Sequence, residues 1–377
     1  MSHHSKIRNH LRKFATTLIM GAVSAYALPT PSQAQTLRIE ATSSSLDWNA
    51  VALAKGHVFV AGPRWTGFTG PAVGILTKNK DVAPFPNVEW NAWKPGQDAT
   101  HHFVSVNALH TAPDGTLWVV DTGTPSFGGA PVLGGAKLVR IDPATGHILR
   151  IYPLGSTVAQ TGSYVDDIRF NGRHAYLTDA GKAALIVLDL ETGQARRVLE
   201  NHASTRAQPE RPIVMEDHIV ESHPHQPLLV NVDPLEVSPD GAWLYFGPLE
   251  GPWSRAPTAL LDDPTVSPEA IAAAVQPWAD LPPIGGSAMD AEGTLYFTNL
   301  KENSLYRRNR SGQISKVMSD PRLHWADAPA LAADGRLWIP IAQLDRLPQF
   351  HQGHSLINQP FLLVSIDLST TSQQARH

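Results

Sequence analysis

The stretch that decides the fold is Val106-Asn107-Ala108-Leu109-His110-Thr111-Ala112-Pro113-Asp114-Gly115-Thr116-Leu117-Trp118-Val119-Val120-Asp121. Its β-branched, aromatic and leucine side chains are typical of strands, and the central Pro-Asp-Gly is typical of a tight turn. Gly115 suits that turn because glycine adopts positive φ without a Cβ clash. The sequence therefore predicts a β-hairpin that begins near Asn107 and ends at Asp121.

The same hairpin pattern occurs six times along the chain. The residues at the heads of the six copies are Asn49, Asn107, Asp167, Asp233, Ser287 and Asp327. A second alternating module often follows the hairpin, as in residues 137–149 and 184–195, so that each unit holds four antiparallel strands. Units repeated at a period of about 40–65 residues are typical of radial architectures. The sequence predicts an all-β fold, a six-bladed β-propeller with four-stranded blades.

The two ends of the repeat region predict how the ring closes. Residues 360–368 repeat the outer-strand pattern, and residues 36–40 form one more short strand. We expect both in the last blade, so that residues 36–370 form a single propeller domain. Two β-sandwiches are the alternative, because evenly spaced hairpins build those as well. A sandwich, however, does not require Asn or Asp at the head of five units in six.

The first 34 residues have the features of an export signal. A mostly apolar run covers residues 14–28, and Ser32-Gln33-Ala34 offers a cleavage site. The basic residues that precede the run are Lys6, Arg8, Arg12 and Lys13. We expect an exported protein, periplasmic or secreted, with no membrane association after signal cleavage. An uncleaved anchor is the alternative.

The composition argues against several classes of function. A net charge of −4, with no basic block beyond the N-terminal region, argues against nucleic acid as a partner. The absence of cysteine excludes disulfides and thiol catalysis. The 28 Gly and 31 Pro residues favour many short strands over long helices. We expect a monomer whose partner is a small molecule.

Two segments depart from the repeat. Residues 208–231 form a long insertion before the fourth hairpin. Residues 267–275 predict a short helix, with Ser267 as its N-cap and Pro268 in its first turn. Insertions of a propeller form loops over one face, where binding sites usually lie.

Four stretches resemble the yellow/major royal jelly protein family. Residues 117–123 are similar to its Leu-Trp-Val-x-Asp-Thr-Gly signature, and residues 175–190, 238–249 and 324–338 are similar to later blocks. The resemblance implies a six-bladed propeller. It also implies a range of functions, because family members include proteins linked to dopachrome conversion, nutritive proteins and salivary proteins that bind biogenic amines. Gluconolactonase-type propellers are more distant relatives that hydrolyse lactones with a divalent metal.

The hairpin heads supply the strongest candidate site. If each head opens the innermost strand of a blade, the six side chains converge near the mouth of the central channel. Carboxylate and amide oxygens are ligands that Ca²⁺ and Mg²⁺ prefer, which makes Asn107, Asp167 and Asp233 the predicted ligands of a divalent cation. The alternative is that each head bonds the backbone of a neighbouring blade, as Asn and Asp do at strand starts.

Histidines and aromatic residues add further candidates. His102 is a candidate loop base near the channel, and Trp65 is one of several loop aromatics that suit a planar or cationic ligand. The full set of predicted ligand-binding residues is Asn107, Asp167, Asp233, Ser287, Asp327, His102 and Trp65. Zinc-binding helical motifs and a nucleophilic serine elbow are absent from the sequence.

The sequence leaves three functions open. The first is an exported propeller that binds a small molecule at the channel mouth. The second is a divalent-metal-dependent, lactonase-like hydrolase or an isomerase of catechol-derived substrates. The third is a protein-interaction scaffold, because a fold alone does not fix function.

Overall fold

The computed structural model describes Met1 and residues 36–368. The rest of the predicted export signal and the last two residues of the predicted domain lie outside these residues. The described residues form six four-stranded antiparallel sheets, which confirms the predicted six-bladed propeller. The two-sandwich alternative is wrong.

The blades are numbered here in chain order, and each list runs from the inner to the outer strand. Blade 1 comprises Ala50–Ala54, His57–Ala61, Val73–Leu76 and Val82–Pro84. Blade 2 comprises Val106–Thr111, Leu117–Asp121, Lys137–Ile141 and Ile148–Pro153. Blade 3 comprises Val165–Asn171, His174–Asp179, Ala184–Asp189 and Ala195–Val198. Blade 4 comprises Val232–Val237, Trp243–Pro248, Trp253–Pro257 and Gln276–Ala279. Blade 5 comprises Ile284–Met289, Leu295–Asn299, Ser304–Arg308 and Ile314–Ser319. Blade 6 comprises Ala330–Leu331, Arg336–Ile341, Phe361–Asp367 and Leu37–Ser43.

The ring is closed by the two ends of the propeller sequence, as the repeat pattern predicts. Leu37–Ser43 pairs antiparallel with Phe361–Asp367, with Leu37 opposite Ile366. The inner strand of each blade contacts the inner strand of the next blade around the ring. A parallel bridge between Ala50 and Ala328 joins the last blade to the first. Residues more than 300 positions apart therefore complete one sheet.

The core lies between neighbouring blades. Side chains of a strand alternate between its two faces, so each blade presents one apolar face to each neighbour. In blade 2, Val119 packs with Phe59 of blade 1, whereas Trp118 packs on the other side with Ile168 of blade 3. The hairpin sequence thus supplies both faces of a blade.

Few of the described residues lie in helices. Within residues 36–368 the two α-helices are Thr258–Asp262 and Pro268–Ala273, and Ser267 caps the second by accepting a hydrogen bond from Ala270 N. The 3₁₀ turns are Arg64–Thr66, Leu300–Glu302, Leu344–Arg346 and Pro348–Phe350. Among the described helices, none is both long and apolar enough to cross a membrane.

The insertion at residues 208–231 contains two small hairpins. The first pairs Val214–Met215 with His218–Ile219, and the second pairs Glu221–His223 with Gln226–Pro227. Both lie between blades 3 and 4 in the chain.

The stretch at residues 117–123, which resembles the family signature, fixes the start of blade 2 through buried contacts. The Asp121 carboxylate accepts hydrogen bonds from Val104 N at 2.8 Å and Ser105 N at 2.9 Å, and Lys137 Nζ lies 2.8 Å away in a fully buried ion pair. Gly123 has a φ of 66°, and a Cβ there would lie 2.2 Å from Ala136 N. These contacts fix the residues that lead into the inner strand.

Candidate ligand-binding site

A cavity of about 650 Å³ opens where the inner strands of the blades begin, and we call it the mouth cavity. Its floor consists of polar side chains from five of the six blades: Asn49, Asn107, Asp166, Asp233 and Asp327. Its walls are aromatic and aliphatic, and include Trp65, Phe127, Trp325, Phe350, Leu228, Leu229 and Val230. An apolar wall above a few convergent polar groups is typical of a small-molecule site.

A directional chain of hydrogen bonds orders one side of the floor. Trp65 Nε1 donates to the Tyr164 hydroxyl at 2.8 Å, and that hydroxyl donates to Asn107 Oδ1 at 2.7 Å. Asn49 Nδ2 also donates to Asn107 Oδ1, at 2.9 Å, and Asn107 Nδ2 in turn donates to the Asp166 carboxylate. Each of the two amide groups therefore donates one hydrogen bond within the protein.

The floor also contains a buried acceptor without a partner, together with several carboxyl groups. Among the described residues, Asn49 Oδ1 is buried and has no hydrogen-bond partner. The carboxylates of Asp166 and Asp233 lie close enough to each other to share a proton. None of the described residues that line the mouth cavity is Lys or Arg. The floor is acidic and lacks a counter-charge.

Burial and mutual repulsion raise the pKa values of the floor carboxyl groups. Burial and the Asp233 carboxylate hold the pKa of Asp166 well above its ordinary value. Burial raises the pKa of Asp233 from 3.8 to about 7, and burial likewise raises the pKa of Asp327. Strongly perturbed carboxyl groups in a cleft are typical of functional sites.

Two of the predicted heads lie in a different network, further along the channel. The Asp167 carboxylate binds Arg169 Nη1 at 2.7 Å, and the Arg169 guanidinium also binds both carboxylate oxygens of Glu236. Ser287 Oγ donates to Glu236 Oε1 at 2.8 Å. Asp167, Arg169 and Glu236 line a second cavity of about 330 Å³ at the far ends of the inner strands. Asp167 and Ser287 therefore lie outside the mouth cavity.

The remaining predicted residues divide between the cavity and the surface. Asn107, Asp233, Asp327 and Trp65 line the mouth cavity. His102 does not line it, and its Nδ1 lies 3.0 Å from the carbonyl oxygen of Asp98. The predicted metal ligands do not come together, because Asp167 is paired with Arg169 while Asn107 and Asp233 face the mouth.

Sequence reasoning missed Asp166 and Tyr164. In blade 3 the pairing register shifts between Val165 and Ile168, as it does at the equivalent place in blades 2, 4 and 5. Asp166 follows the first residue of its strand, as Asn107 and Asp233 do, and faces the mouth cavity, whereas its neighbour Asp167 faces Arg169. The available signal was the Asp-Asp pair itself, since adjacent strand residues point in opposite directions.

The floor has the donor types of a calcium site but not the arrangement. Carboxylate and amide oxygens are the ligands that Ca²⁺ prefers. Within residues 36–368, however, no three His, Asp or Glu side chains converge as they would around a metal ion. The described His, Asp and Glu side chains therefore form no three-residue metal site as they lie, and we derive no chemical step through a metal.

The fold and the site define a class: six-bladed propellers with an acidic cavity at one mouth of the channel. Residues 104–346 match the sequence model of the major royal jelly protein family. The chain belongs to that family, which confirms the resemblance of its repeats.

Two solved structures illustrate what the chain is similar to. A gluconolactonase from Xanthomonas campestris is 12% identical with a TM-score of 0.53, over 88% of this chain and 89% of that chain. A streptogramin B lyase is 12% identical with a TM-score of 0.48, over 89% of this chain and 99% of that chain. No curated protein matches the chain in sequence. At these identities the likeness concerns the fold alone.

Proposed function

We propose that the protein binds a small molecule in the mouth cavity, and that the ligand carries a protonated amine on an apolar body. The observation that supports this proposal is the floor, whose unpaired groups are acceptors and carboxyl groups without a basic partner. A ligand with N–H donors and a positive charge satisfies those groups, whereas an anionic ligand meets repulsion.

The walls favour an apolar body of moderate size. The rings of Trp65 and Phe127 lie 5.0 Å apart between centroids, and those of Phe127 and Phe350 lie 5.7 Å apart. Such a row of rings offers apolar contact and a cation–π surface beside the acidic floor. A cavity of about 650 Å³ falls in the range of sites that bind small organic molecules.

A pair of matched ligands tests the charge requirement. 2-Phenylethylamine and 2-phenylethanol have similar shapes, and only the amine is positively charged at neutral pH. We expect titration calorimetry to give an amine affinity at least about tenfold higher than that of the alcohol, a difference of about 1.4 kcal/mol. Equal affinity for the two compounds, or binding of neither, would argue against the proposal.

Two variants connect that affinity to the floor. Asp233→Asn removes one floor carboxyl and keeps its size, so it should weaken amine binding and leave alcohol binding unchanged. Glu292→Gln changes an exposed residue in a blade 5 turn and serves as the control for the loss of one carboxyl. If Asp233→Asn weakens both ligands equally, the floor does not recognise charge.

A divalent-metal-dependent hydrolase or isomerase is the second candidate. It is favoured by the close approach of the Asp166 and Asp233 carboxyl groups without a basic neighbour, because a bound cation would offset their repulsion. Metal analysis of the purified protein and melting curves with Ca²⁺ or EDTA test it. A calcium-dependent rise in Tm that Asp233→Asn abolishes would favour this candidate, and turnover of lactones and catechol-derived substrates would then be assayed. If no ligand binds and no metal changes the Tm, the third function, a protein-interaction scaffold, would be favoured.

We also propose that the protein acts outside the cytoplasm, in the periplasm or as a secreted protein. The support is the basic, then apolar, then small-residue pattern of the first 34 residues. Cell fractionation, with mass measurement of the recovered protein, tests this. A full-length protein in the cytoplasmic fraction would contradict it.

A further inference from the structure

The second hairpin of the insertion is joined to the propeller through a narrow base. Residues 221–227, which we call the flap, begin after Val220 and end before Leu228. Leu228 N donates to the Val220 carbonyl at 2.7 Å, so the two ends of the flap are tied together. Both base residues are buried, and they pack with Ile213, Leu249 and Trp325. The flap therefore has a fixed base.

The body of the flap has open space on both sides. His225, Gln226 and Pro227 line the mouth cavity. Glu221, His223 and Pro224 line a wider groove of about 1400 Å³ on the other side. Ser222 lines both spaces. Each of the seven residues of the flap thus borders one space or the other, and the flap is a thin wall between them.

The flap is held mainly by bonds within itself. His225 N donates to the Glu221 carboxylate at 3.0 Å, and this bond stabilises a turn in which His225 has a φ of 63°. Within the described residues, no hydrogen bond or ion pair joins the flap to another part of the chain beyond its base. Its remaining support is the packing of Glu221–His223 against the turn at Pro348–Phe350. Few contacts and open space permit local motion.

We propose that residues 221–227 form a lid that swings about the Val220–Leu228 base and covers the mouth cavity when a ligand is bound. The proposal depends on the proposed function, since the lid closes over the same cavity. Closure moves His225 and Pro227 toward the aromatic wall and shields the acidic floor from water. Lid segments of this kind control the rates of ligand entry and release.

The absence of cysteine allows the motion to be measured without a ligand. His223→Cys places one spin label on the exposed side of the flap, and Leu149→Cys places a second on the outer strand of blade 2. We expect pulsed EPR to give two distances in the free protein and one with saturating 2-phenylethylamine. A single narrow distance that the amine does not change would overturn the lid, even if the amine binds.

Excision of the flap separates a lid from a passive wall. Because Val220 and Leu228 already pair, an Asn-Gly turn in place of residues 221–227 should leave the base intact. A lid predicts that the association rate and the dissociation rate of the amine both rise about tenfold. A passive wall predicts a faster dissociation rate alone, and that result would overturn the proposal.

A control variant and a measurement on the ligand-free protein separate the lid from the proposed ligand. Glu292→Gln, at an exposed turn of blade 5, lies outside both spaces and should leave both rates unchanged. Two distances in the free protein, with no binding of the amine at all, would support the lid and contradict the proposed ligand. The failure of one proposal is thereby distinguishable from the failure of the other.

Discussion

Replacement of Asp233 by Asn should stabilise the protein at alkaline pH. Burial raises the pKa of the Asp233 carboxyl to about 7, so the folded protein holds a proton there that the unfolded chain releases near 3.8. The state with more bound protons loses stability as pH rises. The folded state therefore loses stability between about pH 4 and pH 7, and an Asn side chain, which does not ionise, removes that loss.

The magnitude follows from the two pKa values. A difference of about 3 pH units at 1.36 kcal/mol per unit corresponds to about 4 kcal/mol as an upper bound at pH 8. Asp233 lines an open cavity and is partly exposed, so water screens its charge. We expect about half of the bound, close to 2 kcal/mol, as the gain in the free energy of unfolding at pH 8.

Urea unfolding of the variant and the wild type between about pH 5 and pH 8 measures this difference. The other ionisable groups are common to both proteins, so their contributions cancel in the comparison of variant with wild type. Glu292→Gln, at an exposed turn, should show no such pH dependence. If Asp233→Asn destabilises the protein equally at about pH 5 and about pH 8, the pKa of the Asp233 carboxyl is not raised by folding, and the electrostatic reasoning is wrong.

Three further predictions concern the scaffold. Lys137→Met leaves the Asp121 carboxylate buried without its partner and should lower the free energy of unfolding by about 3–5 kcal/mol, measured in urea. Gly123→Ala should cost about 3 kcal/mol in the same assay, because its φ is 66° and the added Cβ meets Ala136 N; a change below about 1 kcal/mol would contradict the assigned backbone. Deletion of Leu37–Ser43 exposes Phe361–Asp367 as an edge strand, and gel filtration should show aggregation; a stable monomer would show that ring closure is dispensable.

The sequence predicts the propeller well because its signals are local and repeated. Each hairpin has a turn that requires positive φ at glycine, as at Gly115 with a φ of 81°. Six copies of one motif leave little freedom in the fold, and even the closure of the last blade by residues 37–43 follows from the repeat. A wrongly assigned strand boundary in one copy of the hairpin does not change the predicted number of blades.

The sequence predicts the site less well, because the site depends on where individual side chains point. The head positions contribute Asn49, Asn107, Asp233 and Asp327 to the mouth cavity, whereas in blade 3 the equivalent residue is Asp166, one position before the predicted Asp167. Arg169 lies two residues after Asp167 on the same strand, so that contact is local, whereas the bonds of Arg169 to Glu236 join distant residues. No local pattern carries that information, nor does it show that Phe350 and the insertion meet over the cavity.

The two acidic networks of the channel differ in one respect that bears on function. At the far ends of the strands, Arg169 bonds both Asp167 and Glu236, so a positive charge of the protein offsets part of their negative charge. At the mouth, Asp166 and Asp233 face each other with no Lys or Arg among the described lining side chains. The same channel thus accommodates a buried arginine at one level and lacks one at the other, although a counter-charge at the mouth would stabilise the fold. Carboxyl groups that destabilise the fold because they lack a basic partner are typical of a functional site. In such a site the bound ligand supplies the missing positive charge.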